Sequence, residues 1–161
     1  MAGVISSADL QTSHMKIYSE VYEEIIQCPP VPPEMGGILG MKKGVVCACT
    51  YDQPPLQRDR AIYIPNVEFL NKRICEWKEQ GISFCGMFHS HPFNQPKLSG
   101  EDNEYIKTIF QVMPETVRDL FFPIVLPNVM LLSFHAVRRE NTIRIYEDKI
   151  TIMKRSTNDE Y

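Results

Sequence analysis

The stretch ISFCGMFHSHPFNQPKLSGED, residues 82–102, changes from apolar to polar about halfway along its length. Its first ten residues, 82–91, form a largely apolar run that favours a buried strand, and Pro92 ends the hydrogen-bonded ladder of that strand. A helix is predicted to begin near Ser99 and to run to about Met113. The stretch therefore predicts a strand, a loop and a helix in direct succession.

The segment before this stretch carries the signals of another helix. Asn66 can cap its first turn and Gly81 can close its end. Between them, apolar residues recur at helical spacing, at Phe69, Leu70, Ile74 and Trp77. Further towards the N-terminus, AIYIP (61–65) predicts a short strand and DQPPLQRDR (52–60) predicts a loop. Strands and helices thus alternate along the middle of the chain.

The two ends of the chain extend this pattern. From Met15, apolar residues at helical spacing predict an amphipathic first helix, with Ile17, Val21, Tyr22, Ile25 and Ile26 on its apolar face. GGILGMKKGVVCACTY (36–51) predicts a hairpin with its turn at Lys42–Gly44. Further strands are predicted at FFPIV (121–125), VMLLSFHAV (129–137) and IRIYEDKITIM (143–153).

Strands interleaved with about three helices predict a mixed sheet with helices packed against it, in the α/β or the related α+β class. A chain of 161 residues is expected to form a single domain with a sizeable core. We assign residues 1–161 to this domain. Its core is expected over about residues 15–152, between a polar N-terminal segment and a polar C-terminal tail.

Composition excludes several classes of partner. The formal charge of −3 is mild, and no basic cluster predicts binding to nucleic acid or to a membrane surface. The most apolar region, 121–134, is interrupted by Pro123 and Pro127 and is too short to span a bilayer. The opening MAGVISSADL lacks the basic start and long apolar core of a signal peptide, so we expect no signal peptide there.

Five cysteines show no spacing typical of a disulfide framework, so we expect a reducing, cytoplasmic location. Cys47 and Cys49 would face the same side of a strand. They could form a zinc-binding pair, but no further cysteine or histidine lies nearby in the sequence. We interpret them as small thiols of the core, because a buried cysteine behaves as a small hydrophobic residue.

A second pair of residues is a stronger candidate for metal binding. His89 and His91 lie two positions apart, so alternation on a strand places both side chains on one face. Same-face neighbours are roughly 7 Å apart, and two imidazoles that lean together can each reach a zinc ion at about 2.0–2.1 Å. Because Pro92 follows, we expect the pair at a sheet edge where a site can open to solvent.

Ser99 and Asp102 lie three positions apart at a predicted helix start, and therefore on neighbouring positions of one face. Asp102 would supply a third, anionic ligand, whereas Glu101 is rotated by about a hundred degrees and is expected to point elsewhere. Three protein ligands leave one tetrahedral position for water, which is typical of catalytic zinc. The alternative is a capping box, in which Ser99 caps the helix and Asp102 only favours its positive end.

Taken together, His89, His91, Ser99 and Asp102 spell H-x-H-x7-S-x2-D. This pattern resembles the signature of the JAMM (MPN+) metalloprotease family. The match includes its GMFHSHP setting and an upstream glutamate, Glu34, just before GGILG. The likeness in element order covers nearly the whole chain. The resemblance implies a curved mixed sheet flanked by helices, a Zn2+ cofactor, and substrates that are ubiquitin or ubiquitin-like proteins.

The resemblance also implies a role for each residue of the motif. His89, His91 and Asp102 would bind zinc, Glu34 would act as general base on the zinc-bound water, and Ser99 would hydrogen-bond the oxyanion of the tetrahedral intermediate. From the residues alone, Glu34 could instead be a solvated loop glutamate. A strand paired beside the histidine strand would bring it near the site, and the glycines after it would let backbones approach closely.

One further histidine is a candidate ligand. His135 could be a fourth ligand of the metal, although a strand histidine with a satisfied hydrogen bond is the interpretation we favour.

We therefore expect a zinc-dependent peptidase or isopeptidase that acts near the C-terminus of a ubiquitin-like protein or peptide. The compact chain lacks long insertions, so a sulfur-carrier-like or other bacterial-type substrate is as plausible as ubiquitin. Two alternatives are a non-catalytic MPN scaffold and a non-haem iron oxygenase, because two histidines and one carboxylate also describe the facial triad of the latter. The sequence leaves open whether the chain forms a homo- or hetero-oligomer.

Overall fold

The computed structural model describes residues 14–53 and 63–157 of the chain. In these ranges it has nine strands and three helices. The strands are β1 (Met15–Tyr18), β2 (Gly36–Lys42), β3 (Val45–Tyr51), β4 (Ser83–Ser90), β5 (Asp119–Phe121), β6 (Ile124–Leu126), β7 (Met130–Arg139), β8 (Thr142–Asp148) and β9 (Ile150–Met153). The helices are α1 (Ser19–Ile26), α2 (Val67–Glu79) and α3 (Gly100–Val112).

All nine strands belong to one mixed sheet. Its order is β5-β7-β6-β4-β2-β3-β1-β9, with β8 paired to β7 and an additional contact between β4 and β5. Strand β4 runs antiparallel to β2 and parallel to β6, while β1 runs parallel to both β3 and β9. A single mixed sheet with three helices confirms the predicted fold class.

Helices cover both faces of the sheet. Neighbouring residues of a strand point to opposite faces, and β2 shows this with two buried residues. Leu39 belongs to the apolar cluster that contains Val21 and Ile25 of α1. Ile38 belongs to the cluster that contains residues of α2 and α3, including Leu70 and Ile106. The sheet is therefore the central layer between α1 on one side and α2 and α3 on the other.

The predicted hairpin is confirmed. Strands β2 and β3 pair antiparallel, with Lys42 opposite Val45. The two residues between them, Lys43 and Gly44, have φ angles of 52° and 78°. Positive φ at both turn positions is typical of the tight two-residue turns that match the twist of paired strands, and glycine adopts it without a steric cost.

The helix boundaries follow the predicted signals for two of the three helices. The side chain of Asn66 accepts a hydrogen bond from the backbone N–H of Phe69 at the start of α2. Gly81, just beyond its end, has a φ of 75°. Helix α3 begins directly after Ser99 and ends at Val112, close to the predicted limits.

The start of the first helix was predicted wrongly. Met15–Tyr18 is a strand, and helix α1 begins only at Ser19. Met15 and Ile17 are buried while Lys16 between them is exposed, which is the two-residue period of a strand. Ile17 fits the two-residue period of a strand and also the helical period of the residues that follow. For this reason the sequence pattern extended the helix over Met15–Tyr18. Pairing of β1 with both β3 and β9 selects the strand.

The predicted strand at 61–65 is also not found where the structure describes it. Residues 63–65 are not in a strand, while 61–62 and most of the predicted loop, 54–60, lie outside the described residues. The side chain of Tyr63, not strand pairing, fixes this segment, because its hydroxyl is hydrogen-bonded to Asp52. In the described part of the chain, no helix is both long and apolar enough to cross a membrane.

Candidate metal centre

The two candidate histidines lie at the C-terminal end of an inner strand. His89 is opposite Gly36 of β2 and opposite Ile124 of β6, so β4 has a partner on each side. His91 follows the last strand residue, and its backbone N–H donates to the carbonyl of Val125. The expected position at a sheet edge is therefore corrected. The site opens beyond the strand ends rather than at the side of the sheet.

Three side chains converge beyond this strand end. The Nε2 atom of His89 lies 3.1 Å from Oδ1 of Asp102, and the Nε2 atom of His91 lies 3.1 Å from Oδ2. The two Nε2 atoms are 2.7 Å apart. Ligand atoms of all three residues lie within 4.8 Å of one another, and the described residues contain no other such group of metal-binding side chains. The structure thus brings together the three ligands that the sequence predicts.

A backbone contact fixes the chemical form of His91. Its Nδ1 atom lies 2.9 Å from the carbonyl oxygen of Gln95. A carbonyl can only accept a hydrogen bond, so Nδ1 carries a proton, and in the neutral form of the ring the Nε2 atom is the one with a lone pair for a metal ion. Metal-binding histidines usually have such a second partner, which holds the ring orientation and the tautomer.

The arrangement fits a small divalent cation. Zinc bonds of 2.0–2.1 Å at tetrahedral angles separate neighbouring ligand atoms by about 3.3 Å. The three observed separations are 2.7 Å and twice 3.1 Å, so an expansion of a few tenths of an ångström would admit the ion. Two imidazoles and one carboxylate form a donor set that zinc accepts, and they occupy three of its four positions.

Electrostatics couple the three groups. Burial alone would raise the pKa of Asp102, but hydrogen bonds from His89 and His91 outweigh it and hold that pKa well below its ordinary value. Burial alone would lower the pKa of His91, but the Asp102 carboxylate and the Gln95 carbonyl raise it above its ordinary value. Both directions show that the cluster favours a positive charge next to the carboxylate.

Ser99 and Asp102 form the capping box that was the alternative to a metal ligand. The Ser99 hydroxyl oxygen accepts a hydrogen bond from the backbone N–H of Asp102, and Oδ2 of Asp102 accepts one from the backbone N–H of Ser99. The same carboxylate also contacts both imidazoles. The two functions of Asp102 are therefore compatible, because the cap fixes the carboxylate that faces the histidines.

A cavity of about 210 Å³ adjoins the cluster. His89 and Asp102 contribute to its wall, together with the carboxylates of Glu34 and Glu101. Glu101 lines the cavity on the first turn of α3 but, as expected, does not join the cluster of His89, His91 and Asp102. Apolar and tyrosine side chains line the remainder, namely Tyr63, Pro65, Met87, Phe88, Leu98, Tyr105, Ile106 and Phe122.

Glu34 faces this cavity from the segment before β2. Its Oε2 atom accepts a 3.1 Å hydrogen bond from the backbone N–H of Tyr63. The predicted close backbone approach after it is confirmed, because a side chain at Gly37 would collide with the carbonyl oxygen of Thr50. Sequence reasoning missed Tyr63 as part of the site, since no local pattern indicates a contact between residues 29 positions apart.

Ser99 is exposed and does not line the cavity. Its hydroxyl accepts one hydrogen bond through the oxygen, which leaves the hydroxyl hydrogen able to donate.

The remaining candidates do not join the cluster. His135 is buried, and its Nε2 atom lies 2.9 Å from Oδ2 of Asp119, so the interpretation as a satisfied strand histidine is confirmed. Cys47 and Cys49 are unpaired thiols that are only partly buried. Burial raises the pKa of both thiols, which disfavours the thiolate that binds zinc.

No protein-family model matches the chain, and no curated protein matches it either. Solved structures do resemble it. The solution structure of protein DSY2949 from Desulfitobacterium hafniense matches with a TM-score of 0.59 and 15% identity, over 87% of this chain and 94% of that one. A protein from Salinibacter ruber matches with a TM-score of 0.49 and 17% identity, over 89% and 94% of the two chains. The first likeness shows a shared fold and no more.

Proposed function

We propose that this protein is a zinc-dependent amide hydrolase of the JAMM type, a peptidase or isopeptidase that cleaves near the C-terminus of a ubiquitin-like protein or peptide. The observation that carries the proposal is the convergence of His89, His91 and Asp102 at a cavity that also contains the Glu34 carboxylate. Three ligands and a separate carboxylate are the parts that metal-assisted hydrolysis requires.

The reaction divides among the residues as follows. When bound, zinc would lower the pKa of a water molecule to about 7 and polarise the substrate carbonyl. Glu34 accepts the proton of the attacking water and later donates it to the leaving amine. The Ser99 hydroxyl donates a hydrogen bond to the oxyanion that forms on the substrate, while its oxygen continues to cap α3.

The cavity indicates what the substrate presents to the site. Most of its lining is apolar or aromatic, and among the described residues that line it none is a lysine or an arginine. Glu34 and Glu101 make its polar part acidic. A substrate residue with an apolar side chain fits the cavity, and an acidic one would be repelled. A leaving amine, as in an isopeptide bond to lysine, is favoured by the same charges.

A reducing, cytoplasmic location is part of the proposal. Two observations support it: the five cysteines form no disulfide, and the proposed hydrolysis requires no oxidant. The proposal leaves the individual substrate open. Ubiquitin and a sulfur-carrier-like protein are both ubiquitin-fold substrates with an extended C-terminal tail.

The test combines metal analysis with catalysis. The purified full chain is expected to contain one zinc ion and to hydrolyse at least one member of a panel of ubiquitin-like C-terminal fusions. Glu34→Gln should retain zinc and lower kcat by about 10²–10⁴-fold, because only the proton carrier is lost. Glu79→Gln, at an exposed position on α2, makes the same chemical change away from the site and should leave kcat unchanged.

Two outcomes would overturn the proposal, and a third would change the residue assigned as general base. A chain with no zinc and no loss of stability under chelation indicates a non-catalytic scaffold. Bound iron with oxygen-dependent turnover indicates an oxygenase. Full turnover by Glu34→Gln assigns the base to another residue.

A further inference from the structure

A buried carboxylate lies outside the cluster of His89, His91 and Asp102. Asp52, directly after β3, is only 4% exposed. Its Oδ1 atom accepts a hydrogen bond from the backbone N–H of Gln53 at 2.8 Å. Its Oδ2 atom accepts one from the hydroxyl of Tyr63 at 2.9 Å and one from the backbone N–H of Asn66 at 2.7 Å. A buried charge is costly unless it is fully hydrogen-bonded, so these partners hold it in place.

The hydrogen bonds of Asp52 attach one segment to the end of the sheet. Asp52 itself is fixed there, because its backbone N–H donates to the carbonyl of Gly36 at 2.8 Å. The two bonds to Oδ2 then fix both Tyr63 and Asn66, the residue that caps α2. Residues 63–66 are thereby held against strand β2 without strand pairing.

Tyr63 connects this attachment to the candidate general base. Its ring lies against Gly36, where any side chain would overlap the ring atoms. Gly36 is the residue opposite His89 in the sheet. From this position the backbone N–H of Tyr63 donates to Oε2 of Glu34 at 3.1 Å. Within residues 14–53 and 63–157, that N–H is the hydrogen-bond donor to the Glu34 carboxylate, and no group donates to Oε1.

We propose that Asp52 and Tyr63 are positioning residues that orient the Glu34 carboxylate towards the metal centre. This inference rests on the proposed function, since it assigns to Glu34 the role of proton carrier. The Tyr63 N–H occupies one carboxylate oxygen and holds the other, Oε1, available for the proton of water. Asp52 keeps the N–H in place through the phenol hydroxyl, which donates as a neutral group.

The protonation of Tyr63 is consistent with this arrangement. Burial, together with the adjacent Asp52 carboxylate, raises the pKa of Tyr63 well above its ordinary value. The phenol therefore remains a hydrogen-bond donor throughout the pH range in which a zinc hydrolase works.

Two conservative variants test the inference in the full-length, zinc-loaded protein. Tyr63→Phe removes the hydroxyl but retains the ring and the backbone N–H. Asp52→Asn retains the shape of the side chain but removes its charge and one of its two accepting oxygens. Each should lower kcat by about 10- to 100-fold, with KM and zinc affinity within about 2-fold of wild type, because supporting partners of a site typically have effects of that size.

Tyr51→Phe is the matched control. Tyr51 lies one position before Asp52, and the substitution removes a phenol hydroxyl that donates to the backbone carbonyl of Ile25. It should lower the melting temperature about as much as Tyr63→Phe does and leave kcat unchanged. Equal losses of kcat in Tyr51→Phe and Tyr63→Phe would reduce the role of Tyr63 to general stability and overturn the inference.

A second readout is independent of catalysis. In ¹H–¹⁵N spectra of the metal-free protein, the amide resonance of residue 63 should move upfield in Glu34→Gln, because the acceptor loses its charge. Amide hydrogen exchange at residue 63 should be faster in Tyr63→Phe and in Asp52→Asn. If the wild type hydrolyses nothing but these changes are seen, the proposed function fails and the positioning of Glu34 stands. If the amide of residue 63 is unaffected in all three variants, the positioning fails whatever the activity.

Discussion

Two groups of histidine and aspartate in this molecule have nearly the same N···O distances and different surroundings. At the strand end of β4, His89 and His91 each place an Nε2 atom 3.1 Å from Asp102. Between β7 and β5, His135 places its Nε2 atom 2.9 Å from Asp119. The first group adjoins a cavity. In the second, the imidazole is stacked on Phe121 with ring centroids 4.8 Å apart.

The difference shows what distinguishes a candidate metal site from an ion pair. One imidazole and one carboxylate satisfy each other with a single hydrogen bond, and the His135 pair needs nothing more. At the strand end, two imidazole nitrogens only 2.7 Å apart face one carboxylate, and a backbone carbonyl already holds the second nitrogen of His91. With both imidazoles deprotonated at Nε2, a cation at the meeting point of the three groups would bind all of them at once.

The variant with the largest expected effect disrupts the cluster at the end of β4 and leaves the His135–Asp119 pair intact. Asp102→Ala should lower zinc affinity by at least about 100-fold and abolish hydrolysis, because it removes an anionic ligand. Asp119→Ala should change neither. Zinc affinity is measured by competition with a chromophoric chelator. Tight zinc binding by Asp102→Ala, or loss of zinc in Asp119→Ala, would mean that the ligand set is wrong.

We expect zinc to stabilise the protein only by binding to His89, His91 and Asp102. With free zinc at 100 times its dissociation constant, binding adds about 2.7 kcal/mol to the free energy of unfolding, which raises the melting temperature by about 5–10 °C. Thermal unfolding with zinc and after chelation measures the difference. Asp119→Ala should keep the full shift and Asp102→Ala should lose it. An equal shift in both variants would place the zinc elsewhere.

The metal-free protein should show a pH dependence that comes from the same group. The pKa of His91 lies above its ordinary 6.5, so its contribution to stability is complete below that pH and is lost as pH rises through the folded pKa. The pKa of Asp102 lies below its ordinary 3.8, so its contribution is complete above that pH and is lost as pH falls through the folded pKa. The cluster should therefore stabilise the metal-free protein most between about pH 4 and 6.5.

Urea unfolding of the chelated protein across this range measures the dependence. Asp102→Asn should flatten the pH dependence, because it removes the carboxylate that titrates and that raises the pKa of His91. A wild-type protein whose stability is unchanged from pH 5 to 8 would contradict the coupling of His91 to Asp102.

Local signals explain why the convergence of His89, His91 and Asp102 could be predicted from sequence. Pro92 ends the strand and Ser99 starts the helix, so the loop between them has a defined length and its two ends carry the ligands. The four residues before α1 were assigned wrongly, because Ile17 fits both a helical and a strand period. Only pairing with β3 and β9, which are distant in sequence, decides between them.

The support of Glu34 could not be predicted for a similar reason. Its donor, Tyr63, is 29 positions away, and the hydroxyl of Tyr63 is held by Asp52, 11 positions away. Aspartate after a strand and tyrosine before a helix have no local pattern that distinguishes them from ordinary loop residues. Contacts of this kind follow from the packing of the whole sheet, whereas the histidine pair follows from a two-residue alternation.

The smallest expected effect concerns the His135–Asp119 pair. A hydrogen bond from His135 lowers the pKa of Asp119 in spite of its burial, and its contribution to stability is therefore present above about pH 3.8 and lost in stronger acid. The Asp119 side chain is 55% exposed, so solvent screens the pair and limits its value to about 1 kcal/mol at neutral pH. Asp119→Asn should lower the melting temperature by no more than about 4 °C, without a change in zinc content. A loss several times larger would show that this pair is as tightly coupled as the cluster at the strand end, and the contrast between the two would no longer hold.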